Sequence, residues 1–222
     1  MYLATHTRPD ICFAVNLLSR FSSCPTKRHW DGIKHVLRYL QGTKDLGLFY
    51  TNKNKDGLVG FADSGYLSDP HDSGSQTGYV FTHGGTAISW RSIKQTLITT
   101  SSNHSEILAI HEASREFVWL RSMTQHIRSD CGMTDDKGPT VMYEDNAACI
   151  AQLKDGYIKE DRTKHILPKF FSTHELQKAG VVQVVQVRSS DNSADLFTKS
   201  LPTATLKKLI HQLGMRRLKD LQ

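Results

Sequence analysis

Four carboxylates fall where an apolar pattern meets a turn or a helix start. The run GFADSGYLSD carries a short apolar stretch that ends on Asp63 and gives way to small, turn-forming residues. Asp145 closes a second such stretch, VMYED. Glu106 opens a long helical pattern, with Ile110, Ala113, Phe117 and Leu120 at +4, +7, +11 and +14. At that spacing its side chain runs along the apolar stripe that faces the rest of the fold. Asp195 starts the last helical pattern, NSADLFTK, beside Leu196 and Phe197. Each acid has an ordinary explanation. Glu106 could partner Asn103 in a capping box, Asp145 could cap the following helix, Asp195 could be a first-turn charge, and Asp63 could begin a turn. Gathered at one place they repel one another and cost stability unless something positive is bound. An all-oxygen set of this kind suits Mg²⁺ or Mn²⁺, and a pair of such ions suits phosphodiester hydrolysis.

The elements around these acids decide whether they meet. LVGFAD, TGYVFTH and TAISWRS read as strands, the last two joined by Gly84-Gly85, a two-residue hairpin signal. A long helix follows from Asn103, then a strand at TVMYED and a helix at NAACIAQLK. ILPKFFSTHELQKAG is a helix interrupted early by Pro168, VVQVVQVRSS is a strand, and NSADLFTKSLP turns into a last helix. The order β-β-β-α-β-α-α-β-α predicts an α/β fold with a mixed sheet, antiparallel at its start, parallel later and covered by helices. If the strands ending on Asp63 and Asp145 are parallel neighbours, both carboxylates emerge at one sheet edge, where open α/β sheets place their sites.

Ahead of this lies a helical pair. RPDICFAVNLLSRFSS puts Ile11, Val15 and Leu18 on one face, and a second helix from about Thr26 to Gly42 aligns Trp30, Ile33, Leu37 and Leu40. The pair is too short for a core of its own and is expected to pack against something else. A change to short strands places a boundary near Asn54.

Composition fits a globular chain: 38% hydrophobic, 23% charged, net charge +6. The mild basic excess is compatible with a polyanionic partner, although no block of five basic residues occurs. No apolar run reaches the roughly 18 residues of a membrane span, and MYLATHTRPDICFAV lacks a secretory layout. An intracellular protein with no membrane partner is expected. The cysteines at 12, 24, 131 and 149 form no CxxC pair and read as reduced thiols. The histidines have no Cys partners at zinc spacing. Trp90 and Tyr143 read as core.

Read together, GFADSGYLSD, SQTGYVFTHGGTAISWRSIKQ, SSNHSEILAIHEASREFVWLR, YEDNAACI, RTKHI and NSADLFTKSLP resemble the ribonuclease H domain that ends the Pol polyprotein of copia-type LTR retrotransposons. MYLATHTRPDICFAVNLLSRF and HWDGIKHVLRYLQGT look like the tail of the preceding reverse transcriptase, its thumb and connection region. The resemblance spans nearly the whole chain in family order. It implies a ribonuclease H-like fold over 55–200: a mixed five-stranded sheet flanked by helices. It adds an N-terminal helical appendage over 1–54 and a C-terminal helical tail over 201–222.

The same resemblance implies a catalytic set of Asp63, Glu106, Asp145 and Asp195 holding two Mg²⁺ ions, with Mn²⁺ as a substitute. Asp63 would bridge both ions, Glu106 and Asp145 would help hold one, and Asp195 the other. The implied substrate is an RNA–DNA hybrid, whose RNA strand is cut. Ser64, Ser105 and Asn146 are candidate backbone or 2′-hydroxyl contacts; Arg91, Lys94, Arg162, Lys164 and His165 are candidate phosphate contacts. The implied partners are the reverse transcriptase palm and fingers, and the implied places are a cytoplasmic retrotransposon particle and the nucleus. The chain lacks the reverse transcriptase palm and its Asp-Asp motif, the pair Asp135-Asp136 falling in the loop DCGMTDDKGP, so nuclease rather than polymerase activity is expected. The family usually reads Asp-Ala-Asp-Trp-Ala where this chain has Asp63-Ser64-Gly65-Tyr66-Leu67. It usually reads Ser-Thr-Glu-Ala-Glu-Tyr where this chain has Ser102-Asn103-His104-Ser105-Glu106-Ile107. Neither change removes a ligand, but both make the rim less negative. The competing expectation is a catalytically inactive fragment that keeps the nucleic-acid-binding fold.

Overall fold

The computed structural model describes residues 1–51, 57–69, 73–134, 138–158 and 164–221. The chain enters through helices α1 (Tyr2–His6), α2 (Cys12–Ser19) and α3 (Lys27–Gly42), then a short strand β1 (Leu46–Leu48). Three antiparallel strands follow: β2 (Leu58–Gly65), β3 (Gln76–His83) and β4 (Thr86–Lys94). Gly84 and Gly85 turn the hairpin with φ of 59° and 75°, the positive pair that a tight two-residue turn requires. After the long helix α4 (Ser102–Asp130) come β5 (Thr140–Glu144), α5 (Ala147–Asp155), α6 (Leu167–Lys178) and β6 (Val182–Gln186). A 3-10 turn (Ser193–Phe197), helix α7 (Thr203–Gln212), strand β7 (Met215–Arg217) and a final 3-10 turn (Leu218–Leu221) follow.

The sheet order is β4-β3-β2-β5-β6, with β2, β5 and β6 parallel. The mixed five-stranded sheet flanked by helices that was expected of a ribonuclease H-like α/β fold is therefore present. The last element over NSADLF is a 3-10 turn rather than an α-helix. The capping box expected from Asn103 does not form. Ser101, in extended backbone, caps α4 by accepting from the His104 N–H at 3.2 Å. Asn103 lies inside the helix and donates to Gln152 Oε1 at 2.6 Å. Pro168 does not interrupt α6 but sits in its first turn, where its missing N–H has no partner to lose.

Two cores sandwich the sheet. Helices α4, α5 and α6 close one face over Tyr79, Phe81, Ile107, Phe117, Met142 and Phe170. On the other face the 3-10 turn, α7 and α2 bury Val80, Ala87, Leu196, Phe197, Leu209 and Leu213. The two ends of the chain meet here, since β1 pairs antiparallel with β7 and Arg217 reaches Asp45 at 2.7 Å. Trp90 Nε1 donates to the Ala4 carbonyl at 2.7 Å, which ties the N-terminal helices to β4. The second helix of that pair behaves otherwise than its apolar stripe suggests. Trp30, Ile33 and Leu37 of α3 are exposed and α3 buries no residue, because among the described elements it packs chiefly on α2. The described part of the 201–222 segment holds the α7 helix, the β7 strand and a 3-10 turn at Leu218–Leu221. The boundary placed near Asn54 lies outside the described residues. Among the described residues no helix is long and apolar enough to cross a membrane.

Gly78 shows how closely the 3-10 turn lies on the sheet. It pairs with Asp63 across β2 and β3, and a Cβ there would stand 2.6 Å from Thr198 Cγ2 and 2.7 Å from Phe197 Cβ. Gly78→Ala is expected to destabilise the chain by about 1–3 kcal/mol, the usual cost of overpacking. Gly47→Ala, which meets nothing within 4 Å, should stay within about 0.5 kcal/mol. Urea unfolding midpoints of the two variants check this, and equal midpoints would contradict it.

Candidate active site

The site opens where the sheet divides. Strand β2 stays paired with β3 as far as Gly65 opposite Gln76, but with β5 only as far as Phe61 opposite Tyr143. Beyond that point β2 and β5 part, and Asp63 and Asp145 lie at the gap. The Ala62 carbonyl takes the Asn192 Nδ2–H at 2.9 Å, and the Asn192 Oδ1 accepts from the Ala194 N–H at 3.1 Å. Asn192 thereby fixes the 3-10 turn, and Asp195 with it, against β2. On the opposite side the Ser64 and Ser105 hydroxyls lie 2.7 Å apart, and Ser105 Oγ donates to the Ser102 carbonyl at 2.7 Å. This pair binds β2 to the first turn of α4 and brings Glu106 alongside Asp63.

Carboxylate oxygens of Asp63, Glu106 and Asp145 all lie within 4.8 Å of one another. Asp145 is free for this role because Asn146 caps α5, its Oδ1 accepting from the Cys149 N–H at 3.0 Å. Asp195 is joined to the group through a lysine. Lys199 Nζ stands 2.7 Å from Asp195 Oδ1 and 3.6 Å from Asp63 Oδ2. The Thr198 hydroxyl donates to Asp63 Oδ2. The four acids expected at one edge are thus at one edge, three of them as a cluster and the fourth across Lys199.

Ionising all of them is costly. At such separations a pair of like charges repels by roughly 3–4 kcal/mol at an effective dielectric near 20. Burial pushes Asp63 above the usual carboxylate range; Lys199 and the Thr198 hydroxyl oppose the shift and Asp145 adds to it. Burial and then the charge of Asp63 push Glu106 well above it. Burial and Asp63 raise Asp195 to about 6. Glu106 Oε2 is buried without a hydrogen-bond partner. An orphaned buried oxygen in an all-carboxylate cluster fits a hard divalent cation such as Mg²⁺ or Mn²⁺.

Three further residues were not singled out in the sequence. Lys199 follows Asp195 by four positions, a helical spacing that could have marked it. Thr198 sits beside it. Glu144 is fully buried, accepts from the Asn146 N–H at 3.1 Å through Oε1, and leaves Oε2 without a partner. Burial and then Glu106 push Glu144 well above the usual carboxylate range. Strand alternation from the buried Met142 would have placed it inward.

Of the candidate nucleic-acid contacts, Ser64 and Ser105 are buried and their hydroxyls serve each other. The Asn146 side chain is engaged in its cap. Arg91 and Lys94 line a cavity of about 320 Å³ between β4, α4 and α6, with Arg115 and Lys169. Lys94 pairs with the buried Asp69 at 3.3 Å. Lys164 and His165 are exposed ahead of α6, and Arg162 lies outside the described residues.

Fold and site together define an α/β protein with a carboxylate centre fitted to divalent cations at the edge of its sheet. No family model matches the chain. It is 33% identical over 215 residues to the retrovirus-related Pol polyprotein from transposon TNT 1-94 of Nicotiana tabacum, covering 97% of this chain and 16% of that protein. It is 42% identical over 128 residues to a protein named secreted RxLR effector protein 161 of Plasmopara viticola, covering 58% of this chain and 90% of that one. Among solved structures, LC11-RNase H1 in complex with an RNA/DNA hybrid matches 64% of this chain and 93% of its own. The sequence identity there is 18% and the TM-score 0.45. Over nearly its whole length the chain is homologous to retrovirus-related Pol polyproteins of copia-type transposons, and it spans about a sixth of the length of the polyproteins that it matches.

The raised carboxylates set a pH dependence. A folded-state pKa above the unfolded value contributes stability at low pH that is lost as pH rises through the folded value. The metal-free protein should therefore melt at lower temperature at pH 7.5 than at pH 5, with Asp195 contributing the loss around pH 6. Asp195→Asn should flatten that part of the decline. A divalent cation taken up by the ionised acids should restore stability most at pH 7.5, and Mg²⁺ is the cation to add. Calorimetry of the metal-free protein checks this, and a melting temperature that rises across the window equally in both proteins would refute it.

Proposed function

We propose that the chain is a ribonuclease H that hydrolyses the RNA strand of RNA–DNA hybrids with two divalent ions, as the nuclease part of a retrotransposon Pol polyprotein. The observation that supports this reading is the convergence of Asp63, Glu106 and Asp145, with Asp195 on the far side of Asp63. In this reading Glu106 and Asp145 would hold one ion with Asp63, and Asp195 would hold the other with Asp63. The ions, when bound, supply an activated water and charge stabilisation at the leaving oxygen. The water adds to phosphorus, the bond to the 3′ oxygen breaks, and the products carry a 5′ phosphate and a 3′ hydroxyl.

The chain's own residues do the positioning. Asn192 and Gly78 set the depth of Asp195, and the Ser64–Ser105 pair sets that of Glu106. Substrate is selected by hybrid shape and 2′-hydroxyls rather than by base sequence. Arg91, Lys94, Lys164 and His165 are the proposed phosphate contacts, and the polymerase region of the longer polyproteins is the proposed partner.

The purified chain with Mg²⁺ and an end-labelled hybrid should cut only the RNA strand. Asp145→Asn should reduce cleavage to the metal-free background. Mn²⁺ should support the reaction, and EDTA should stop it. Hybrid binding that weakens with salt but gives no turnover in either metal would replace this reading with that of an inactive binding module.

A further inference from the structure

The site is not evenly charged. Among the described residues, no lysine or arginine pairs with Glu106 or Asp145, whose cluster with Asp63 is left for a cation to enter. The Asp63–Asp195 side already holds one. Lys199 Nζ contacts Asp195 at 2.7 Å and Asp63 at 3.6 Å, the place a cation shared by those two acids would take. The backbone at Thr198 and Lys199 folds back onto Asp195, both N–H groups donating to its carbonyl at 3.3 Å. The lysine is thus anchored at its root. Its side chain is 40% exposed, so the flexible stem can leave for solvent without disturbing the buried turn. Burial works against its charge, yet Asp63, Asp195 and Asp145 together hold Lys199 above the usual lysine range.

We propose that Lys199 is a built-in occupant of the second cation position and so imposes an order on metal loading. A first divalent ion enters at Asp63, Glu106 and Asp145. A second enters between Asp63 and Asp195 when Lys199 swings away, and a phosphate of the hybrid supplies the negative charge that draws the ammonium out. This rests on the reading that these four acids hold divalent ions. It adds that the nucleic acid, rather than metal concentration alone, completes the site.

The test counts Mn²⁺ ions bound to the full chain without nucleic acid, by electron paramagnetic resonance of the free ion. Wild type should bind one ion. Lys199→Gln and Lys199→Met should each bind two, the second at least tenfold more tightly than in wild type. Lys199→Arg, which keeps the charge, should bind one. Circular dichroism melting shows that each variant is folded, and either neutral variant suffices if the other is not. Two equally tight ions in wild type would overturn the proposal, as would one ion in every variant. Asp145→Asn separates the two readings. If it leaves Mn²⁺ binding unchanged, or if no protein binds the ion, the metal site itself is wrong. If it abolishes the first ion while the lysine variants gain none, only the role of Lys199 fails.

Discussion

Repulsion around Asp63 is the constraint to which the rest of the structure answers. The residue is buried at the mouth of a dividing sheet, with Glu106, Asp145 and Asp195 about it. Each ionised pair works against folding by a few kcal/mol, a large share of the 5–15 kcal/mol that holds a domain together. The fold lowers this cost in three ways in the absence of metal. Burial and mutual repulsion raise the pKa values of Asp63, Glu106 and Asp195, so each holds its proton to a higher pH than a free carboxyl would. The Thr198 hydroxyl donates to Asp63. Lys199 brings a full positive charge to two of the four. In the proposed reading divalent ions would take over the work of these devices, so the same clustering that weakens the free protein would favour cation binding.

Holding repelling groups together takes rigid elements on both sides. The Glu106 side rests on α4, whose stripe from Ile107 to Leu120 is locked against the sheet. The Asp195 side rests on a single 3-10 turn, which has no long helix behind it. That turn is secured instead by a fully buried asparagine bonded to β2, by Leu196 and Phe197 in the second core, and by α7 and α2 packed behind them. The N-terminal helices and the C-terminal strand, distant in sequence from the acids, therefore bear on the placement of Asp195. This gives a physical reason for the two chain ends to be joined through β1 and β7.

What was legible in the sequence follows the range of the interactions involved. Periodicity showed the strands, the inward face of α4 and the position of Glu106 on it, because those patterns are local and repeat. Element order suggested parallel later strands, but that the Asp63 and Asp145 strands are neighbours was a condition, which the pairing of β2 with β5 meets. Caps were less legible. Ser101 rather than Asn103 ends α4, since several small polar residues in a row offer equivalent caps and only the tertiary path chooses among them. Asn192 acts through a contact more than a hundred residues away in sequence, which no local pattern encodes, while for Lys199 only the contact with Asp195 has a local spacing and the one with Asp63 does not. Ser64 and Ser105 lie beside acids in the chain, but both hydroxyls are buried against each other, and Ser64 also favours the ionised form of Glu106.

The departures from the family's motifs acquire a steric meaning at Gly65. A Cβ there would stand 2.7 Å from the Thr198 carbonyl oxygen and 2.9 Å from Ser68 Oγ, so in this chain no side chain fits at Gly65 without moving the 198–199 backbone. Gly65 and Gly78 lie on either side of Asp63, one two residues along β2 and the other opposite it on β3. Both are hollowed out for the same segment, the stretch that carries Asp195, Thr198 and Lys199. The acid missing from the rim at Gly65 and the close seating of Lys199 are then two sides of one arrangement. Negative charge is withdrawn from the strand at the point where the backbone delivers a positive one. His104 is a different case. Its side chain is buried and its Nδ1 lies 3.2 Å from Thr100 Oγ1, so it stabilises the entrance to α4 rather than the rim.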